Sequence, residues 1–141
     1  MSTRALNFPS IPPGGVCPVS PVQQFASPPG QKLPGYGYGP GPLFLSGQTE
    51  WYSGVASLFM VAPSYGGRIM IRGRQLDGSN GLPFQDQSNG RITIEPAAAG
   101  SWRWVGNMIL GPPGCYAIQA DGTNFSEVIV FSIKPGPAPP A

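Results

Sequence analysis

The chain has 141 residues, enough to bury the core of one domain. Charged residues make up 10% and the net charge is +2, a composition that predicts neither an intrinsically disordered chain nor a nucleic-acid partner. Its one basic cluster, at Arg68, Arg72 and Arg74, is too small for a nucleic-acid footprint. No apolar run approaches the roughly 20 residues that a membrane-spanning helix needs.

Proline and glycine dominate the first 42 residues. Proline removes a backbone donor and disfavours helix in the residue before it, so residues 1–42 are predicted to form an extended N-terminal arm. A glycine-tyrosine stretch within this arm carries Tyr36 and Tyr38. Residues 135–141 are predicted to be a short proline-rich tail.

Residues 43–134 show the alternation of short strands separated by turn sequences. Arg68–Arg72 places Ile69 and Ile71 on one face, and the segment 91–95 places Ile92 and Ile94 on one face. Segments 43–45, 55–62 and 101–105 also have strand character, and residues 114–133 form a final hairpin. Seven or eight strands without an amphipathic helix predict an immunoglobulin-like antiparallel β-sandwich. One departure from immunoglobulin domains is that Tyr116 directly follows Cys115 and does not precede it by two residues.

The two cysteines, Cys17 and Cys115, lie 98 positions apart and would tie the start of the chain to its penultimate strand. In a small, loop-rich chain this usage favours a disulfide and an extracellular, cell-surface or periplasmic location, although two buried thiols are the alternative. Residues 1–4 are followed by proline-rich sequence and not by an apolar leader. If the protein is secreted, we therefore expect this chain to be a mature or trimmed form.

The sequence lacks histidine, which excludes a Ser-His-Asp triad, a Cys-His pair and the usual zinc sites. The carboxylates are Glu50, Asp77, Asp86, Glu95, Asp121 and Glu127. A small glycoside hydrolase would need two of these to converge in a cleft. Asp77 and Asp86 flank a glycine-rich loop and could bind calcium, but a turn role is the favoured interpretation. We predict no catalytic residue, no cofactor and no metal site.

Aromatic side chains are the candidate residues for an interface or a ligand site. They are Tyr36, Tyr38, Trp51, Tyr52, Trp102 and Trp104. Trp102 and Trp104 share one face of a strand, which is either a stacking platform or part of the core. The core is the favoured interpretation, with Arg103 on the solvent side. Trp51 and Tyr52 lie in irregular sequence, as do the two earlier tyrosines, so some of these rings are expected at the surface. Asn124 begins a glycosylation sequon at a hairpin tip.

Five short elements occur in order between residues 16 and 134. They are Cys17-Pro18, Tyr36-Gly37-Tyr38-Gly39, Gly73-Arg74-Gln75-Leu76-Asp77, Pro113-Gly114-Cys115-Tyr116 and Val128-Ile129-Val130-Phe131. This order resembles a family of small uncharacterised bacterial secreted or lipoprotein-type domains. The resemblance implies a β-sandwich outside the cytoplasm and carries no established activity. The missing leader and the low charge differ from the usual member, and the low charge hints at a role in an assembly.

These features predict a non-catalytic, extracytoplasmic protein that acts by protein contact. We expect a subunit of a surface or filamentous assembly, with a protein partner or a second copy of itself, because extended arms and aromatics on a low-charge surface favour such contacts. The alternative is a module that binds carbohydrate or another ligand through surface aromatics. No nucleic-acid partner and no transmembrane segment are expected.

Overall fold

The computed structural model describes residues 4–12, 14–26, 34–98 and 100–138. Ten strands lie within these residues. In chain order the strands are β1 (Val22–Gln24), β2 (Tyr36–Tyr38), β3 (Leu43–Ser46), β4 (Trp51–Tyr52), β5 (Ala56–Val61), β6 (Ile69–Gln75), β7 (Arg91–Ile94), β8 (Arg103–Met108), β9 (Gly114–Asp121) and β10 (Ser126–Lys134). Eight of them lie between residues 43 and 134, as predicted. None of the described residues belongs to a helix long and apolar enough to cross a membrane.

The strands form two packed sheets of five strands each within the described chain. The first sheet has the order β1-β2-β3-β5-β8, and the second has the order β4-β10-β9-β6-β7. Neighbouring strands are antiparallel except for β4, which lies parallel to β10. The prediction of an all-β sandwich is confirmed, and the immunoglobulin-like topology stays a prediction.

The core lies between the sheets and takes alternate residues from each strand, because successive side chains point to opposite faces. Ile69 and Ile71 of β6 are fully buried in it, and Ile92 and Ile94 of β7 are buried beside them, as the alternation predicted. The first sheet contributes Leu43, Leu45, Phe59 and Val61. The final strands form the predicted hairpin, with β9 paired to β10 along its whole length.

The N-terminal segment lies across the outer face of the second sheet. The Ser20 backbone N–H donates to the Val130 carbonyl at 2.9 Å, and the Val130 N–H donates to Ser20 Oγ at 2.8 Å. Phe8 and Ile11 pack on the outer side of β9. The chain then enters the first sheet as β1 and β2. Within the described residues 4–12 and 14–24, the predicted arm therefore makes contacts with the chain's own sheets.

A disulfide joins Cys17 to Cys115, as predicted. It links the N-terminal segment to β9, the penultimate strand. Asp121, at the end of β9, is buried and forms a salt bridge of 2.9 Å with Arg72. Burial alone would raise the pKa of Asp121, but hydrogen bonds from Ser126, Arg72 and Gln119 outweigh burial and lower it. The disulfide at Cys115 and the salt bridge at Asp121 thus fix the two ends of β9.

Candidate functional site

Trp102 and Trp104 lie on the outer face of the first sheet, so the interpretation that placed them in the core is wrong. Trp104 is 49% exposed and Trp102 is half-buried. The two rings do share one face of the strand, but Val105 packs against the core on the opposite face. The Arg103 side chain also reaches inward, donating to the carbonyls of Tyr65 at 2.9 Å and Glu95 at 2.8 Å.

The aromatics of the irregular segments are more buried than the sequence suggested. Trp51 is 1% exposed and contacts the rings of Tyr38 and Phe131, with centroids 5.9 and 6.1 Å away. The Tyr38 hydroxyl donates to the Thr49 carbonyl, and burial raises the pKa of Tyr38. Trp51 and Tyr38 are therefore core residues, whereas Tyr36 and Tyr52 are half-buried.

An aromatic cluster covers part of the outer face of the first sheet. Phe25, just after β1, stacks on Trp102 with ring centroids 5.1 Å apart and lies 4.9 Å from the ring of Phe44. Met60 is fully buried on this face, directly across from Trp104. The sequence did not single out Phe25, because it lies among prolines with no strand periodicity around it. Trp104 forms the exposed border of this cluster.

Strand β8 is the last strand of the first sheet, and part of its outer backbone is unpaired. The Met108 carbonyl accepts from Gln85 N–H at 2.9 Å and its N–H bonds to Asn107 Oδ1, so both groups point away from β5. By antiparallel alternation, the N–H and C=O groups of Trp104 and Gly106 point the same way. In the described part of the chain, no hydrogen bond reaches these four groups from outside β8. We call this stretch, Arg103–Gly106, the β8 edge.

The β8 edge lies where both sheets end, since β8 is the last strand of the first sheet and β7 is the last strand of the second. A groove of about 350 Å³ lies along it. It is lined by Ile94, Glu95, Trp102, Arg103, Trp104 and Val105. The exposed side chains of Met108 and Leu110 continue the apolar surface beyond the groove. The loop at Pro83–Gln85 pairs with the chain at 108–110 and closes that end of the edge.

Asp77 and Asp86, the two acids that the sequence offered as calcium ligands, lie at different hydrogen-bonded positions. Asp77 Oδ1 accepts hydrogen bonds from the Cys115 N–H and from Gln75 Nε2, both at 2.9 Å, so it joins the end of β6 to β9 and does not bond the backbone of its own turn. Asp86 is exposed, and its backbone is bonded to the Asn107 side chain. Among the described residues, no three His, Cys, Asp or Glu side chains are grouped to hold a metal ion. Asn124 is exposed in the β9–β10 turn.

Two of the motifs that carry the family resemblance lie side by side. The Leu76 N–H donates to the Cys115 carbonyl at 2.7 Å, so the end of β6 is bonded to the start of β9. Gly114 approaches the Gln75 side chain so closely that a Cβ there would lie 2.4 Å from its Nε2. No protein-family model, curated protein or solved structure matches the chain. The resemblance therefore stays a prediction.

Proposed function

We propose that this chain is a non-catalytic structural or interaction protein that works by contact with other protein molecules, as a subunit of a surface or filamentous assembly. The observation that supports this function most strongly is the β8 edge. Natural sheets usually protect a last strand with lysine, proline or a bulge, because unpaired backbone groups bind other strands. Strand β8 contains no lysine or proline, and its one charged side chain, Arg103, is bonded inward.

The apolar surroundings of the β8 edge also support protein contact. Trp104 and Met108 expose large apolar side chains next to free backbone groups. Aromatic residues and methionine are enriched in protein interfaces, and an extended partner gains main-chain hydrogen bonds when it adds a strand to a sheet. The same feature thus offers both directional bonding and apolar burial.

An extracytoplasmic location is part of the proposal. The Cys17–Cys115 disulfide supports it, because such bonds persist in oxidising compartments and are rare in the cytosol. Only 10% of the residues are charged, which supports a place within an assembly because a surface with few charges promotes association between molecules.

A second candidate function is carbohydrate or other ligand binding, and the exposed ring of Trp104 beside a groove favours it. The C–H groups of a sugar ring can pack on the face of an exposed aromatic side chain such as this one. This function can be tested by adding glycans to the protein and measuring its tryptophan fluorescence. Trp51 is buried, so a response would come from Trp102 or Trp104, and Trp104→Phe should reduce it.

The experiment that tests the main proposal is sedimentation velocity of the purified, oxidised chain from micromolar to submillimolar concentration. We expect particles larger than the 14.8 kDa monomer, with a size that grows with concentration. A monomer at every concentration would reject the assembly role, and a fluorescence response to glycans would then favour ligand binding.

A further inference from the structure

We propose that the β8 edge binds the β8 edge of a second copy of this chain, as an antiparallel pair with a two-fold axis at Val105. This inference rests on the proposed function and names its partner. The pairing would join the two five-stranded first sheets into one continuous sheet. Closed two-fold dimers are the commonest soluble assemblies, and their interfaces must be self-complementary.

The hydrogen bonds of the β8 edge are self-complementary. A two-fold axis at Val105 places Trp104 opposite the partner's Gly106, and Gly106 opposite the partner's Trp104. Each of these residues directs its N–H and its C=O to the free edge, so the two pairs form four backbone hydrogen bonds. An axis at Gly106 would place Trp104 opposite the partner's Met108, whose carbonyl is already bonded to Gln85. An axis at Trp104 would place Gly106 opposite the partner's Trp102, which precedes β8.

The side chains on the outer face are complementary in the same register. A Cβ added at Gly106 would meet no atom within 4 Å, so open space lies above this residue. The half-exposed indole of Trp104 would lie over the partner's Gly106 and fill that space. Aromatic rings that cover a cross-strand glycine stabilise sheets by burying the bare backbone. The dimer therefore buries the most exposed aromatic ring of the cluster.

The charges of the edge also fit this partner. In the antiparallel pair Arg103 lies opposite the partner's Asn107, so the two Arg103 side chains sit at opposite ends of the interface. Each guanidinium is already bonded to carbonyls of its own chain. The Gln85 N–H occupies the Met108 carbonyl, and the Asp86 backbone is bonded to the Asn107 side chain, so the edge is closed from Asn107 on and the paired stretch is Trp104–Gly106.

A cysteine at position 105 tests the geometry directly. Val105 would face the partner's Val105 as a non-hydrogen-bonded pair, in which Cα atoms lie about 4.5 Å apart. Disulfides span Cα distances of about 4.4–6.8 Å, so Val105→Cys should crosslink two chains under mild oxidation. Thr93→Cys, exposed on the other sheet's last strand, is the matched control and should not crosslink. Both native cysteines are already bonded to each other.

A second variant keeps the test decisive if Val105→Cys fails to fold. Gly106→Lys enters open space in the monomer but collides with the partner's Trp104, so it should raise the dimer dissociation constant at least about tenfold. If the wild type assembles while Val105→Cys stays uncrosslinked and Gly106→Lys assembles equally, the β8 pairing is wrong and the proposed function stands. If the wild type is monomeric throughout, both are wrong.

Discussion

Glu127 on β10 of the second sheet accepts a hydrogen bond from the backbone N–H of Leu43, the first residue of β3 in the first sheet, at 2.9 Å. Glu127 is 6% exposed, and among the described residues no lysine or arginine forms a salt bridge with it. Burial raises its pKa to about 7, because the backbone bonds from Leu43 and Gly41 offset only part of the lost hydration. An acid of this kind makes folding stability depend on pH.

We predict that stability falls as the pH rises from about 4.5 to about 7. In this window folded Glu127 keeps a proton that the unfolded chain releases, so the folded state binds more protons and loses stability as protons become scarce. Glu127→Gln, which resembles the protonated acid, should raise the free energy of unfolding by roughly 3 kcal/mol above pH 7 and by little at acid pH. Urea unfolding across this range measures both effects.

Asp86→Asn is the matched control for Glu127→Gln. It removes one carboxylate charge from an exposed position, so any general effect of net charge appears in both variants. The pH-dependent gain should appear in Glu127→Gln alone. A gain that is equal at all pH values would show that Glu127 has the same pKa in the folded and the unfolded chain.

The strands and the disulfide could be predicted from the sequence because both depend on local pattern or on cysteine count. Ile69 and Ile71 alternate with Arg68, Met70 and Arg72, so the sequence could place both isoleucines on one face of the strand. Trp102 and Trp104 could be placed on a common face but not on the correct one, because Val105 gives that strand an apolar residue on its other side as well. Only the position of β8 beside β5 decides which face is buried.

The unpaired character of the β8 edge lay beyond sequence reasoning for a similar reason. Whether a strand is the last of its sheet depends on the order in which all strands assemble, and that order follows from contacts distant in sequence. Phe25 shows the same limit, since its stacking on Trp102 joins segments far apart in the chain. The residues next to Phe25 and those next to Trp102 do not indicate that the two rings stack.

We predict that loss of the Cys17–Cys115 disulfide lowers the free energy of unfolding by about 4–5 kcal/mol. The bond closes a loop across 98 positions, and opening it restores the conformational entropy of a long segment in the unfolded chain. Urea unfolding of Cys17→Ala/Cys115→Ala measures the loss, and reduction of the wild type should give the same value. An unchanged midpoint in both samples would contradict the prediction.

We predict that Gln119→Ala loosens the N-terminal segment without unfolding the sandwich. The buried Gln119 side chain accepts from Asn7 N–H at 2.8 Å and donates to the Ala5 carbonyl at 3.0 Å. Alanine removes both bonds together with the Gln119 bond to Asp121, at a cost of roughly 1–3 kcal/mol. Hydrogen exchange at the Asn7 amide should therefore speed up, whereas Gln85→Ala, at an exposed side chain, should leave it unchanged. Equal protection in both variants would show that other contacts hold the segment.

We predict opposite outcomes for alanine at two strand glycines. A Cβ at Gly73 would lie 2.4 Å from the Ala117 carbonyl oxygen and 2.9 Å from Ile118 Cγ2, so β6 and β9 must move apart. Overpacking of this kind costs roughly 1–3 kcal/mol. A Cβ at Gly106 meets nothing, and alanine there should stabilise the monomer by up to about 1 kcal/mol by reducing the entropy of the unfolded chain. Thermal unfolding of Gly73→Ala and Gly106→Ala at low concentration separates the two. Equal shifts in the midpoint of thermal unfolding would contradict the prediction, because contact with the neighbouring strand would then not determine the cost of an added Cβ.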